Sequence, residues 1–247
     1  PIQAISPDGS TLAFVAADAE GARRIWVRPL ESPVARPLRS TELANGLFWS
    51  PDSRSLAFLA LEELRRIDVS TNEVRVIGRA EGVRGGTWGS RGAILLGTIT
   101  RGILRFPADG GAPTQATVRA SGETFHFYPQ FLPDGDRFLY AIDNPPGVYV
   151  GSLSEDRTRQ ERRAVLSGFL NVAYAPNPDR DAGYLLFVRD HTLYAQSFNP
   201  LTLGLEAAPI PIATDLGETT AQEPSQFSVS ETGVLSTIGA TRSVVSE

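Results

Sequence analysis

Few residues in this chain have the side chains that covalent or acid–base chemistry requires. The sequence contains two histidines, His126 in ETFHFYPQF and His191 in RDHTLY, and it has no Cys, Lys or Met. These absences exclude thiol nucleophiles, thiolate metal sites, Schiff-base chemistry and the lysine of a P-loop. A catalytic triad would need one of the two histidines, and no Gly-x-Ser-x-Gly turn accompanies either. We therefore expect both to be hydrogen-bonded or packing residues and the chain to be no enzyme.

One segment has the spacing of a calcium-binding loop. NPDRDAG at 177–183 places Asn177, Asp179 and Asp181 at alternate positions. The glycine comes one position late, and Val188 stands where such a loop needs a bidentate glutamate. A polar, lengthened turn explains the segment, and we predict no metal and no cofactor.

A nine-residue phrase that suggests a repeated ligand or phosphorylation site recurs along the chain. It reads SPDGSTLAF at 6–14, SPDSRSLAF at 50–58 and LPDGDRFLY at 132–140. Proline at the second turn position presets φ, aspartate suits the turn, and glycine supplies a positive φ. Neither a modified Ser-Pro nor a carboxylate site requires this whole set. We interpret the phrase as a tight turn between two strands.

Weaker copies of the phrase complete a sixfold repeat. They are TWGSRGAILLG at 87–97, YAPNPDRDAGYLLFV at 174–188 and FSVSETGVLST at 227–237. Six units in 247 residues average about 41 residues each. A period of this length is typical of β-propeller blades.

Each unit has sequence for four short strands, rich in Val, Ile, Leu, Phe and Tyr and separated by Gly, Pro, Asp and Asn. The nearest approach to a helical pattern, LALEELRRID at 59–68, occupies strand positions. We predict an all-β fold, a six-bladed β-propeller of four-stranded antiparallel blades. The last blade has at most a third strand in TRSVVSE, so we expect it to be incomplete. The single domain 1–247 would have blades at approximately 1–40, 41–80, 81–119, 120–168, 169–217 and 218–247.

Composition limits the partners. The hydrophobic content is 41%, the formal net charge is −5 and the pI is about 5.2. This balance argues against nucleic acid or an anionic membrane as the main partner. No apolar run reaches the roughly 20 residues that span a bilayer, and no signal peptide opens the chain. We expect the chain to be an excised part of a longer protein.

The repeated SPDG phrase resembles the TolB-like, WD-like propeller repeat of bacteria. A longer likeness runs in order through AISPDGSTLAFVA, IWVRPLESPVARPL, FWSPDSRSLAF, YPQFLPDGDRFLYAI and FSVSETGVL. Together these segments resemble the C-terminal propeller of membrane-anchored bacterial serine/threonine protein kinases. That resemblance implies an extracytoplasmic sensor domain with a kinase domain and a membrane anchor upstream. The Gly-rich ATP loop, His-Arg-Asp and Asp-Phe-Gly are absent, so kinase activity is not implied for this chain.

Binding by a propeller usually involves the connections from an outermost strand to the next innermost strand, since functional residues concentrate in loops on a rigid scaffold. Here these connections are STELANG, RAEGVRGG, RASGETFH, SGFLN and GETTAQEPSQ. They and the strand that follows give a polar channel mouth suited to a protein, peptide or small polar ligand. Its candidate residues are Glu42, Asn45, Arg84, Glu123, His126, Gln130 and Asn171.

Three functions remain open at this stage. The first is a non-catalytic ligand- or protein-binding sensor, as the kinase resemblance implies. The second is a propeller hydrolase or lactonase with a calcium ion in the channel, which would need several carboxylates on the innermost strands. The third is a TolB-like envelope scaffold whose partner is another protein, which predicts an exposed apolar patch.

Overall fold

The computed structural model describes residues 2–156, 163–168, 172–177, 182–216 and 227–238. Within these ranges the chain forms strands and connecting turns, and it contains no helix. The prediction of an all-β fold is confirmed.

The described strands fall into six groups along the chain. The first two groups are β1 (Gln3–Ile5), β2 (Thr11–Ala17), β3 (Arg23–Pro29), β4 (Arg36–Pro37) and β5 (Gly46–Trp49), β6 (Ser55–Ala60), β7 (Glu63–Asp68), β8 (Val74–Arg79). The next two are β9 (Val83–Trp88), β10 (Ala93–Thr98), β11 (Gly102–Pro107), β12 (Thr114–Gln115) and β13 (His126–Phe131), β14 (Arg137–Asp143), β15 (Pro146–Ser152), β16 (Arg163–Ser167). The last two are β17 (Val172–Pro176), β18 (Gly183–Arg189), β19 (Thr192–Asn199), β20 (Gly204–Ala213) and β21 (Phe227–Val229), β22 (Leu235–Thr237).

Each group is an antiparallel blade in which neighbouring strands pair in sequence order. The innermost strands β1, β5, β9, β13, β17 and β21 contact one another in that order, and β21 contacts β1. These contacts close the blades into a ring, so the chain is a β-propeller. Blades three and four also share one sheet, because Thr98 of β10 pairs with His126 of β13.

The recurring phrase forms the turn between the first and second strands of a blade, as predicted. In blade one the amide of Gly9 donates to the carbonyl of Ser6 over 2.8 Å, and Gly9 has a φ of +75°. The Ser6 hydroxyl donates to Asp8 Oδ1 over 2.5 Å and accepts the amide of Thr11 over 2.9 Å. Ser53 occupies the same position as Gly9 in blade two, with a φ of +60°. The serine and the aspartate therefore stabilise the turn itself.

Alternation along each strand packs the blades against one another. In β10, Leu95 packs with side chains of blade four, whereas Ile94 and Leu96 pack with side chains of blade two. Because successive side chains of a strand point to opposite faces of its sheet, one strand contributes to two interfaces. Apolar clusters of this kind fill the interfaces one–two, two–three, three–four, four–five and five–six.

The interface between blades six and one is different, because hydrogen bonds join its described residues and none of the apolar clusters extends across it. The amide of Ile5 donates to Ser228 Oγ over 3.0 Å, and the Ser236 hydroxyl donates to Gln3 Oε1 over 3.0 Å. The amide of Glu231 also donates to the carbonyl of Pro7 over 2.9 Å. We call this polar interface the seam. The segment TRSVVSE of blade six lies outside the described residues, so the prediction of an incomplete last blade stays a prediction.

The antiparallel order places two kinds of connection on one face of the ring. Each innermost strand begins at this face and ends at the opposite one. The turn between the second and third strands of a blade therefore lies on this face, and so does the connection from the outermost strand to the next blade. We call it the upper face. The SPDG-type turns lie on the opposite, lower face.

Candidate functional site

A channel runs along the axis of the ring. It has a volume of about 1110 Å³ and is lined by the innermost strands and their flanking residues. A cavity of this size is large enough for a small molecule or part of a peptide. The channel is therefore the candidate binding site.

Aromatic residues next to the turns contribute to the channel in two ways. Trp49 and Tyr174 are each 6% exposed and pack between blades. The indole of Trp49 donates to the carbonyl of Ala4 over 3.0 Å, and burial raises the pKa of the Tyr174 phenol. The aromatic residues that remain half-buried along the channel are Phe48, Trp88, Tyr128 and Phe131.

The glycines of β9 allow two of these rings to lie against the backbone. A Cβ at Gly86 would lie 2.5 Å from Phe48 Cε1, and one at Gly89 would lie 2.7 Å from Phe131 Cε2. Both distances are far below van der Waals contact, so only glycine fits while the rings stay in place. The Gly-rich sequence VRGGTWG is thus a consequence of ring packing at the channel wall.

Tyr128 has a backbone conformation that is uncommon for a side-chain-bearing residue. Its φ is +48°, and the register of β13 against β14 shifts between Phe127 and Gln130. A bulge of this kind redirects a side chain and costs backbone energy that the surroundings must offset. Gly85 makes room for it, since a Cβ there would lie 2.8 Å from Tyr128 Cδ1.

Two of the predicted site residues carry polar groups at the upper mouth of the channel. Asn45 is exposed just before β5, and Arg84 is half-buried near the start of β9. The guanidinium of Arg84 donates to the carbonyl of Val83 over 3.0 Å. It forms no ion pair with a carboxylate of the described residues. Most of its donors therefore remain available to a ligand.

Gln130 also lines the channel, but its amide already joins two blades. Its Oε1 accepts the amide of Tyr174 over 2.7 Å, and its Nε2 donates to the carbonyl of the same residue over 3.3 Å. This side chain replaces the backbone pairing that adjacent strands of one sheet would make. Gln130 is consequently a structural link between β13 and β17.

Glu123 and His126 lie together between blades three and four, away from the channel lining. His126 is fully buried; its Nδ1 is 2.7 Å from Thr117 Oγ1, and its Nε2 is 3.1 Å from Glu123 Oε2. The same carboxylate oxygen accepts the amide of Ala120 over 2.5 Å. The sequence expectation of a hydrogen-bonded packing histidine agrees with this placement. The expectation that its strand position brings it to the mouth does not.

The remaining predicted residues lie elsewhere. Glu42 is on the upper face, where its carboxylate is 3.6 Å from the guanidinium of Arg24, and it does not line the channel. Asn171 lies outside the described residues. His191 is a turn residue with a φ of +57°, and its Nδ1 is 3.0 Å from the carbonyl of Leu216.

Two acidic residues of the channel lining were missed at the level of sequence. Glu62 is at the upper mouth, in the turn between β6 and β7, and its carboxylate is 3.3 Å from the guanidinium of Arg79. Glu231 is at the lower mouth, in the turn between β21 and β22. In an antiparallel blade the turn between the first and second strands and the turn between the second and third strands lie at opposite ends of the channel. The four-strand pattern of each repeat could therefore have identified both residues.

The described part of the chain brings together no group of three His, Cys, Asp or Glu side chains that could hold a metal ion. Most of the calcium-like segment 177–183 lies outside the described residues. Within the same described ranges, no helix is long and apolar enough to span a membrane.

No family model matches the chain, and no curated protein matches it. Solved structures do. TolB from Acinetobacter baumannii is 16% identical with a TM-score of 0.64 over 87% of this chain, which spans 54% of the TolB chain. Oligogalacturonate lyase in complex with manganese is 15% identical with a TM-score of 0.59, covering 97% of this chain and 70% of the lyase. The β-propeller domain of the trilobed protease from Pyrococcus furiosus, described as having an open velcro topology, is 18% identical with a TM-score of 0.52, covering 92% and 70%.

Similarity at this level of identity establishes the fold and leaves the activity open. The chain is therefore a β-propeller, and its fold is similar to that of TolB. This agrees with the resemblance drawn from the SPDG repeats.

Proposed function

We propose that this propeller is a non-catalytic binding module that takes a protein or peptide segment at the upper mouth of its channel. The observation that carries the proposal is the set of groups at this mouth. Asn45 and the guanidinium of Arg84, which has no carboxylate partner among the described residues, lie there with the half-buried ring of Tyr128. Polar groups that fix orientation beside apolar surface are typical of binding sites.

Exposed aliphatic residues on the same face favour a macromolecular partner over a small molecule. Leu43 and Leu61 are 59% and 65% exposed in connections beside the mouth. Exposed apolar groups near a polar site are common on protein interaction surfaces. This feature supports a role as a sensor or as a TolB-like scaffold, both of which require a partner.

The wider biological setting is part of the proposal and rests on the resemblance of the sequence. The propeller would be the extracytoplasmic domain of a bacterial receptor-type serine/threonine kinase, with an anchor and a kinase domain upstream. The coding sequence before Pro1 tests this point. A Gly-rich ATP loop, a His-Arg-Asp motif and then an apolar run of about 20 residues would support it. An upstream hydrolase domain would contradict it.

Thermal unfolding with added ligands tests the binding function. The probes are short extended peptides of acidic, neutral and basic composition, calcium with and without EDTA, and oligogalacturonate with manganese. A peptide that binds the native state at a hundred times its Kd stabilises it by about 2.7 kcal/mol. We expect a peptide to raise the Tm of the wild type and of Glu31→Trp, an exposed change on the lower face, but not of Asn45→Trp, which fills the mouth.

Two results would overturn the proposal. A rise in Tm with calcium that EDTA reverses would point to a channel metal. Cleavage of oligogalacturonate with manganese would make the protein an enzyme.

A further inference from the structure

We propose that the partner segment is acidic and that it extends from the channel mouth across the upper face of blade three. The surface consists of Arg84, Ile99, Arg101, Val118 and Arg119, which we call the basic strip. This inference rests on the proposed function and adds the chemistry and the path of the partner.

The strip is continuous because its loops touch. The amide of Ile99 donates to the carbonyl of Gly82 over 3.0 Å, which joins the loop of Arg84 to the turn between β10 and β11. A Cβ at Gly82 would lie 2.5 Å from Ile99 Cγ1. On the other side, Arg119 donates to the carbonyl of Thr100 over 2.8 Å. The mouth and the outer part of the strip are therefore one surface.

A groove of about 370 Å³ lies at the outer end of the strip. It is lined by Thr100, Arg101, Gln115, Val118, Arg119, Ala120 and one carboxylate residue, Glu123. Gln115 donates to the carbonyl of Arg101 over 2.8 Å, and Arg119 also donates to the carbonyl of Thr124. These bonds hold the backbone of the groove in place, which lowers the cost of ordering it when a ligand binds.

The carboxylates around the strip already have partners within the chain. Glu123 lines the groove, and its Oε2 accepts the amide of Ala120 over 2.5 Å and is 3.1 Å from His126 Nε2. Glu62 and Glu81 pair with Arg79, at 3.3 and 2.5 Å. Asp143 accepts the amides of Thr124 and Phe125 at 3.0 and 2.9 Å. Although partial burial opposes the effect, these amide bonds lower the pKa of Asp143, so it stays ionised and bound.

The cations of the strip, in contrast, have no carboxylate partner in the part of the chain that the structure describes. Arg101 is exposed, and its side chain makes no hydrogen bond to a described residue. Arg84 uses one donor on a carbonyl, and Arg119 is held by two carbonyls. Guanidinium groups bind carboxylates through two parallel hydrogen bonds, so the open donors of Arg84 and Arg101 fit acidic side chains.

Aliphatic side chains lie between the cations. Ile99 is 39% exposed and Val118 is 40% exposed. Apolar groups alternating with guanidinium groups fit an extended peptide whose side chains on one side, at every second position, are alternately acidic and aliphatic. A fully charged ligand such as an acidic polysaccharide would leave Ile99 and Val118 unmatched, so a peptide fits better.

Fluorescence anisotropy with labelled extended peptides tests the inference. In each peptide serine occupies every other position, and the positions between carry leucine in alternation with glutamate, lysine or serine, so that both kinds of side chain lie on one side. The protein variants are Arg101→Glu, Arg84→Glu and Arg91→Glu. Arg91 is the matched control, because it is an exposed arginine of the same blade on the lower face. We expect the glutamate peptide to bind best, with an affinity that falls as salt is raised. Arg101→Glu and Arg84→Glu should each weaken binding about tenfold, and Arg91→Glu should leave it unchanged.

The failure of the inference and that of the proposed function give different results. If no peptide of any charge binds, the proposed function itself is wrong. If the serine or lysine peptide binds as well as the glutamate peptide, or if Arg101→Glu does not change the affinity, the inference of an acidic partner on the basic strip is wrong and the proposed function stands. Binding to vesicles of anionic lipid without binding to the glutamate peptide would also overturn it. Circular dichroism of each variant confirms that it is folded.

Discussion

At the scale of single residues, short acidic turns stabilise this propeller through local hydrogen bonds. Asp68 ends β7, and its Oδ1 accepts the hydroxyl of Ser70 over 2.6 Å and the amide of Thr71 over 2.8 Å. These bonds, with that to the Ser70 hydroxyl the largest cause, lower the pKa of Asp68 from 3.8 to about 2. A carboxylate held in this way stabilises the fold only while it is ionised.

We predict that Asp68→Asn lowers the free energy of unfolding by about 1 kcal/mol at neutral pH, allowing for solvent screening of this partly exposed group. Because the folded pKa is depressed, the effect is complete above the unfolded pKa near 3.8 and is lost as the pH falls through about 2. Urea denaturation across this pH range measures it. Asp109→Asn is the control, since that side chain is 99% exposed and its carboxylate is 3.9 Å from Arg66, a surface ion pair expected to contribute little. A difference between Asp68→Asn and wild type that stays constant with pH would contradict the prediction.

Residue chemistry could be predicted from the sequence only in part. The SPDG phrase identified Ser6 and Asp8 as turn residues, because the roles of those residues are local. Gln130 and His126 have partners in neighbouring blades, at Tyr174 and Thr117, that no local sequence pattern indicates. The sequence placed both residues on β13 but could not show that their side chains make hydrogen bonds to neighbouring blades.

At the scale of elements, the strand between Ala93 and Thr98 connects two blades into one sheet. Gly97 makes this connection possible. A Cβ at Gly97 would lie 2.7 Å from the carbonyl oxygen of Arg84, 2.9 Å from Phe127 Cα and 3.0 Å from the carbonyl oxygen of His126. All three neighbours are backbone atoms, which cannot move without displacing a strand.

We predict that Gly97→Ala destabilises the protein by about 2 kcal/mol, or roughly 6 °C of Tm, because it separates β9, β10 and β13. Gly204→Ala is the matched control, since Gly204 also lies in a strand and its nearest neighbour is the side-chain oxygen of Thr202 at 3.2 Å. Calorimetry of the two variants measures the difference. Equal Tm values would mean that the shared sheet contributes nothing beyond the separate blades.

The type of the elements was predictable from alternation and turn residues, including the strands within 59–68. The sharing of one sheet by blades three and four was not predictable. It depends on the single pair Thr98 and His126, which the residue pattern of either strand does not encode. The bulge at Tyr128 was not predictable for the same reason, because the space for it depends on Gly85 in another blade.

At the scale of the whole molecule, five blade interfaces are apolar and the sixth, as far as its residues are described, is the polar seam. Gly9 belongs to this seam. With a φ of +75°, it leaves no space for a Cβ against Thr232 Oγ1, and Val234 Cγ2 would be 2.9 Å away. The hydroxyl of Thr232 also donates to the carbonyl of Asp8 over 3.3 Å.

We predict that Gly9→Ala destabilises the protein by about 1–2 kcal/mol more than Gly92→Ala. Gly92 has nearly the same φ, +74°, and no described atom lies within 4 Å of the point that a Cβ would occupy there. The two changes therefore share the backbone cost and differ only at the seam. Chemical denaturation gives the two free energies. The same loss in both variants would show that blade six does not support blade one.

The sixfold architecture could be predicted because repeats report directly on the number of blades. How the ring closes could not, because closure depends on hydrogen bonds between Ile5 and Ser228 and between Gln3 and Ser236, at opposite ends of the sequence. A serine gives no sign in the sequence of a partner more than two hundred residues away.

The seam has a mechanical consequence. The first and last described strands, β1 and β22, belong to neighbouring blades. A force that pulls the two ends of the chain apart would therefore act on the few hydrogen bonds of the seam. Hydrogen bonds are short-ranged and yield abruptly when stretched, whereas apolar contacts yield over longer distances as area is exposed. Under load the ring should therefore open at the seam while the other five interfaces remain closed. In a protein that bears force, this propeller would open at one defined interface, the seam.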